Sequence, residues 1–272
     1  MTDIRALMLK DARRQVVTGG LLLLMGIFFL ISILFYQEAS FILSLIYFPL
    51  FFVTGAGLFV NGMNDFKKSR YTSIPTAVSG VETTYPLFPK RMYLGQQDLR
   101  DDQAGLYDMN GERYARADEE HHWKHKPAAV VSRWLSFPAV KSGSFIYKDE
   151  HHAFQYRLEK KGGFKWRGYI QNEEGRYTAY TKEWKGTGGK RSIAFIEGNV
   201  LRWQLEGDRY LGQYQLKDEN GRVWAEIKQG AIPTEAADRF GNMPGFIVEW
   251  SVREQVPSSL VAFLFLFQYG NY

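Results

Sequence analysis

The sequence predicts a two-helix transmembrane hairpin followed by an all-β domain, an antiparallel barrel of about twelve strands closed around a hydrophobic C-terminal helix. Three observations predict it. Two uncharged apolar runs, at 16–36 and 41–60, open a chain of 272 residues. A long succession of segments that alternate apolar and polar residues follows, broken by glycine-containing turns. The chain then closes on eight consecutive apolar residues, Leu260 to Phe267.

Each N-terminal run has the roughly 20 apolar residues that cross a hydrocarbon core of ~30 Å. Only Gln37, Glu38, Ala39 and Ser40 join them, so the two helices must fold back on each other with both ends on one side. Arg5, Lys10, Arg13 and Arg14 precede the first run, and Lys67, Lys68 and Arg70 follow the second, while the turn carries only Glu38. The positive-inside bias therefore expects both termini in the cytoplasm, residues 1–15 forming a short cytoplasmic segment. A cleaved secretory signal begins in a similar way, but its apolar core is about 7–15 residues and no second span follows it at once. Gly19, Gly20, Gly55 and Gly57 permit close backbone approach. Neither run holds an ionisable residue, where a transporter or proton relay places one at mid-depth. The pair is expected to be an anchor.

Residues 61–103, with Pro75, Pro86 and Pro89, read as a juxtamembrane linker with an edge strand around 76–84. From 104 to 272 the pattern is that of antiparallel strands, clearest at 211–216 and 223–227. Asp108-Met109-Asn110-Gly111 and Asp218-Glu219-Asn220-Gly221 are matching turns, with a looser version at 172–176. Asn-Gly supplies the positive φ angles of a two-residue type I′ turn, which is the expectation here. Residues 117–143 interrupt the strands with a loop and a short amphipathic helix at 128–135, a candidate binding loop. The last element is a helix over 257–268. Its apolar stretch is too short to span a bilayer, and a helix apolar all round must be enclosed on every side, which a closed sheet provides. A re-entrant membrane contact is the competing placement.

A single β-domain of about a dozen strands, with D-x-N-G turns and a wholly apolar last helix, resembles the superfamily of tubby C-terminal domains, phospholipid scramblases and LURP-one-related proteins. The resemblance covers roughly 71–272 and rests on residues 106–113, 216–227 and 260–267. It implies a twelve-stranded barrel enclosing the hydrophobic C-terminal helix. The two spans ahead of the barrel depart from that pattern, and no phosphoinositide or calcium site of the family carries over onto a residue of this chain.

Composition narrows the chemistry. The absence of cysteine excludes disulfides, thiolate zinc sites, iron–sulfur clusters and cysteine nucleophiles. The net charge of +5 divides into +2 before the hairpin, −1 in its turn and +4 after it, too mild and too spread to point to nucleic acid. Neither a G-x-S-x-G elbow nor a phosphate-binding G-x-x-x-x-G-K-[ST] loop occurs, so no catalytic residue and no cofactor is assigned and the chain is expected not to be an enzyme. His121 and His125, four residues apart, would share a helix face and could ligate a metal with Glu119 or Glu120; a solvated loop ahead of Pro127 is the alternative. Lys67, Lys68 and Arg70, joined by Lys90 and Arg91, form a candidate lipid-surface cluster, each cation attracted to anionic lipid by about 1 kcal/mol.

The expected protein is therefore a non-enzymatic barrel anchored in a cell membrane, bacterial inner membrane or its equivalent. Its expected partners are anionic lipid headgroups, a protein, or a second copy of itself. Lipid translocation by an oligomer, as in scramblases, and a metal-dependent enzyme built on His121 and His125 are the alternatives that the sequence leaves open.

Overall fold

The computed structural model describes residues 4–35, 39–71, 84–96, 103–120, 143–149, 155–161, 167–185, 190–208, 210–230, 232, 234–240 and 245–271. Two helices open the chain, α1 at Ile4–Phe35 and α2 at Ala39–Tyr71. With 32 residues, α1 is a rod of roughly 48 Å, longer than a hydrocarbon core. Its apolar side chains from Val17 through Leu21, Leu24 and Phe28 to Phe35 are exposed, as are those of α2 from Ile42 to Val60. Both helices outrun the apolar segments 16–36 and 41–60, because the polar residues beyond those segments do not end them. Asp11, Gln15, Asp65 and Ser69 all sit at buried positions, so the helices continue as long as they have something to pack on.

The helices meet at glycines. A Cβ placed on Gly19 would lie 2.6 Å from the Phe59 backbone nitrogen and 2.7 Å from the Gly55 carbonyl oxygen, and one on Gly55 would lie 2.8 Å from the Leu23 nitrogen. These are backbone atoms with no freedom to retreat. Gly20 and Gly57 instead face open space, so only half of the small-residue set makes the crossing. Gly19→Leu is expected to force the helices apart and to destabilise the hairpin by about 1–3 kcal/mol. Gly20→Leu is expected to be tolerated, and thermal unfolding of the two variants in the same detergent checks the contrast.

Among the described residues the β-domain has fourteen strands, of which twelve close the barrel. In chain order these are β2 (Arg91–Gln96), β3 (Ala104–Asp108), β4 (Arg113–Glu119), β5 (Gly143–Asp149), β6 (Gln155–Lys161) and β7 (Arg167–Gln171). The circuit continues through β8 (Tyr177–Lys185), β9 (Lys190–Glu197), β10 (Val200–Asp208), β11 (Gln213–Asp218), β12 (Val223–Gln229) and β13 (Gly245–Trp250). Each strand runs antiparallel to the next, and β13 returns to β2 with Phe246 opposite Leu94 and Val248 opposite Met92. The barrel therefore begins at Arg91, inside the segment expected to be linker, while the front of that segment is the end of α2. The expected edge strand at 76–84 and amphipathic helix at 128–135 fall outside the described residues, except for Thr84, which begins β1 (Thr84–Leu87). β1 pairs with β14 (Glu254–Pro257) in a separate two-stranded ribbon. A short helix α3, Ala237–Phe240, packs outside the wall, with Phe240 stacked on Tyr93 at 4.3 Å.

The D-x-N-G turns differ from the expected type I′. Only their glycines have positive φ, +88° at Gly111 and +80° at Gly221, and neither Asn110 nor Asn220 does. Gly111 N donates to the Asp108 carbonyl at 3.1 Å and Gly221 N to that of Asp218 at 3.0 Å. This is a type I turn followed by a left-handed glycine that forms a bulge. The register shifts at Leu106/Tyr107 and Leu216/Lys217 record that bulge. The physical reason is the leading aspartate: Asp218 Oδ1 accepts hydrogen bonds from the backbone nitrogens of Asn220 and Arg222, both at 2.9 Å, holding the asparagine right-handed.

The last helix, α4 (Ser258–Asn271), fills the barrel. Every residue from Leu260 to Phe267 is at most 1% exposed. Phe263 packs on Phe195, Phe265 on Tyr147, and Phe267 on both Tyr214 and Phe246. Gly168 makes room in the wall, since a Cβ there would come within 2.9 Å of Leu266. The helix enters beneath the β1–β14 ribbon, where the Tyr85 and Tyr147 hydroxyls share a hydrogen bond of 2.6 Å. It ends beside β5, with Tyr269 stacked on Phe145 and its hydroxyl donating to the Ala117 carbonyl at 2.9 Å. A buried helix, not a re-entrant one, is thus its observed state.

Candidate functional site

With its lumen occupied by α4, the barrel offers its outer surface and rims for interaction. One part of the wall is already covered. Ile4 and Met8 of α1 are buried against Tyr169, Tyr177 and Tyr180, with Leu7 and Ile196 alongside. Below this apolar contact lies a cluster of charges that strand alternation would ordinarily send to water.

Lys161, the last residue of β6, is at its centre. Its ammonium nitrogen lies 2.8 Å from Asp65 Oδ1 of α2, 2.7 Å from Glu159 Oε2 and 3.0 Å from the Tyr177 hydroxyl. An ammonium has three donors and no acceptor, and here each has a partner. Tyr177 passes its own proton toward Glu159 Oε2 at 2.6 Å, and Lys68 of α2 approaches the other Glu159 oxygen at 3.9 Å. On α1, Asp11 accepts a hydrogen bond from the Tyr169 hydroxyl at 2.6 Å and pairs with Arg167, the first residue of β7, at 3.0 Å. Asp11, Glu159, Lys161, Tyr169 and Tyr177 are each at most 5% exposed.

Burial strains every charge in such a place: at Asp11 and Asp65 it outweighs the partners and raises the carboxyls, whereas at Lys161 and Glu159 the partners decide the outcome. Burial alone would pull the Lys161 ammonium toward neutrality, but Glu159 and Asp65 outweigh it and hold the proton well above the usual lysine range. Burial likewise pushes Glu159 up; the charge and hydrogen bond of Lys161, with help from Tyr177 and Lys68, reverse this and leave the carboxyl below its ordinary value of 4.5. The cluster is closed by protein and holds the helical hairpin to the barrel wall. Removing one member of such a buried set costs far more than the set contributes relative to an apolar replacement, so its distinctive effect is to fix one relative placement.

The sequence-derived cations divide between this junction and elsewhere. Lys67 is exposed on α2 and Lys68 reaches Glu159; Arg70 lies in α2, its side chain outside the described residues. Lys90 and Arg91 are not beside them. Arg91 starts β2 and pairs with Glu249 at 2.9 Å, five strands around the barrel from β7 and at the opposite rim. The five-residue cluster is therefore two separate groups. His121 and His125 lie outside the described residues, and among the described residues no three His, Asp or Glu side chains gather in a way that could hold a metal. The carboxylates and tyrosines of the junction were missed by sequence reasoning, although the spacing of Ile4, Met8, Asp11 and Gln15 marks one continuing helix face.

Fold and junction together define a closed, helix-filled barrel held on a pair of membrane-length apolar helices. No family model and no curated protein matches the chain. Among solved structures, the X-ray structure of a protein from Arabidopsis thaliana, AT5G01750, is similar at a TM-score of 0.41 and 11% identity, covering 69% of this chain and 91% of that one.

Proposed function

We propose that this chain is a membrane-anchored, non-enzymatic barrel that binds anionic lipid headgroups at the cytoplasmic face of a cell membrane. The observation that carries the reading is the junction. A barrel that only needed to be near a membrane could hang from a flexible linker, whereas this one is fixed to its helices by buried charge, which sets its attitude to the bilayer plane. Exposed cations stand where the helices leave the barrel: Lys10 and Arg13 on α1 and Lys67 on α2. They supply both the positive-inside signal and an attraction for anionic headgroups.

The test is the lipid that accompanies the full chain when it is extracted from membranes in polymer-bounded discs. Anionic lipid is expected to be enriched over the bulk membrane, and the enrichment to fall in a Lys10→Glu, Lys67→Glu double variant. An annulus with the composition of the bulk membrane in both proteins overturns the lipid reading. Protease added to sealed vesicles of each orientation tests the topology, with cleavage of the barrel expected only where the cytoplasmic face is outward.

A further inference from the structure

Taking the proposed membrane anchoring as its basis, we infer that one rim of the barrel is itself a bilayer-contacting edge, formed by Trp184 with Tyr210 and Leu211, which enters the headgroup layer of the membrane that the hairpin crosses. The direction follows from the junction. Along α2, Asp65 meets Lys161 at the end of β6, and Lys68, one turn later, meets Glu159 further back in the same strand. Along α1, Asp11 meets Arg167 at the start of β7, while Ile4 and Met8 lie in the cluster of Tyr169, Tyr177 and Tyr180, further from that rim than Arg167. Both helices therefore run out past the rim formed by the end of β6 and the start of β7. Because the strands alternate in direction, the same rim holds the end of β8, the start of β9 and the turn from β10 to β11.

That rim carries large apolar side chains in water. Trp184, next to the last residue of β8, is 42% exposed, and Tyr210 and Leu211, in the β10–β11 turn, are 89% and 70% exposed. Trp184 stands opposite Ser192 of β9, and Ser192 opposite Glu206 of β10, so Trp184 is two strand spacings from β10, which leads, four and five residues after Glu206, into Tyr210 and Leu211 at the same rim. The turn is built to present them. Asp208 Oδ1 accepts a hydrogen bond from Tyr210 N at 2.7 Å, the Gly212 carbonyl accepts one from Gln229 N at 2.8 Å, and Gly212 has a φ of +63°. Around them are the cations an interface favours: Lys182 lies 4.7 Å from the centre of the Trp184 ring, and Lys190 is exposed at the start of β9.

Tryptophan and tyrosine concentrate at the level of lipid headgroups, where a ring meets apolar surface and its polar atom stays wet. Lysine beside them keeps its charge among phosphates while its stem lies along the apolar layer. On the far rim the large exposed apolar residues among those described are Leu87 and Val200, which stand in separate turns and ribbons. The bilayer is the partner that both the direction of the helices and the chemistry of the rim select.

The chain has no cysteine, so single labels are straightforward. Full-length Leu211→Cys, Leu24→Cys and Val200→Cys, each carrying an environment-sensitive fluorophore, would be reconstituted into vesicles of mixed zwitterionic and anionic lipid, with and without nitroxide-labelled lipid. The inference expects loss of emission at 24 and at 211 and none at 200. Quenching at 24 without quenching at 211 overturns the rim contact and leaves the anchoring intact. Equal quenching at 211 and 200 overturns it as well, since the barrel would then not present one rim. No quenching at 24 overturns the anchoring and the rim contact together.

Discussion

Lys161→Met is expected to detach the hairpin from the barrel and to destabilise the full chain by about 3–5 kcal/mol, the cost of abandoning buried partners of a removed charge. Methionine keeps the length of the stem but leaves Asp65 and Glu159 facing one another, both buried, with no cation between them. Hydrogen exchange of the α1 amides near Ile4 and Met8 is expected to quicken, while the amides of α4 stay protected, which separates undocking from global unfolding. The variant also makes a signed prediction in pH. In the native chain Glu159 titrates below 4.5, so the stability it contributes is present above that value and is lost only as pH falls below it. Lys161, raised above its ordinary 10.5, contributes below that pH and is lost only above it. Those two groups add no pH dependence between about pH 5 and 10, whereas Asp11 and Asp65, raised by burial, contribute stability at low pH that is lost as pH rises.

Without Lys161 the sign reverses for the carboxylate. Burial, the largest influence on Glu159, pushes its pKa up, and with Lys161 gone only the lesser effects of the Tyr177 hydrogen bond and Lys68 oppose it. A group whose folded pKa is raised contributes stability at low pH that is lost as pH rises. The deficit of Lys161→Met, taken against the native chain at the same pH, is therefore expected to shrink on going from pH 7 to pH 5. A variant replacing Lys161, Asp65 and Glu159 together by apolar residues is expected to recover most of the loss, because no charge is left unpaired. Thermal unfolding in one detergent across that pH range measures all three proteins.

The junction also marks where sequence reading stops. The apolar runs, the D-x-N-G turns and α4 are local signals, and each is legible in a window of about twenty residues. The junction is not local: Lys161 and Asp65 are 96 positions apart, and Tyr169 and Asp11 are 158. Glu159 and Lys161 occupy alternate positions of β6, which reads as a solvated face unless another element is known to cover it. Placement of Lys90 and Arg91 fails for a related reason. Closeness in sequence to the second helix suggests closeness in space, but the barrel circuit begins at Arg91 on the rim away from the helices, and only strand pairing reveals which rim that is. Turn type fell to a smaller competitor, the aspartate side chain that captures backbone nitrogens before Asn-Gly can adopt two positive φ angles.

Phe265→Ala in α4 is expected to cost about 3–5 kcal/mol, the usual range for removing a buried aromatic ring. The site gives little room to relax. Phe265 has no exposure, Tyr147 packs on it at 5.7 Å between ring centres, and Tyr147 is in turn held by its hydrogen bond to Tyr85 in the ribbon that covers that end of the barrel. The wall cannot close inward on the cavity without breaking the ladder that makes it a barrel. At about 2–4 °C per kcal/mol for a domain of this size, the loss is large enough to read by near-ultraviolet circular dichroism of the reconstituted chain. Phe28→Ala, a ring of the same size on the outer face of the hairpin and 66% exposed, is expected to leave the barrel transition unmoved. Leu266 and Gly168 test the same fit from the wall side. Gly168→Val would drive a branched side chain into the space Leu266 occupies, and Leu266→Ala would vacate it. Each single change is expected to destabilise and the double variant to lie closer to native than the two losses added, a coupling that only direct contact across the wall produces.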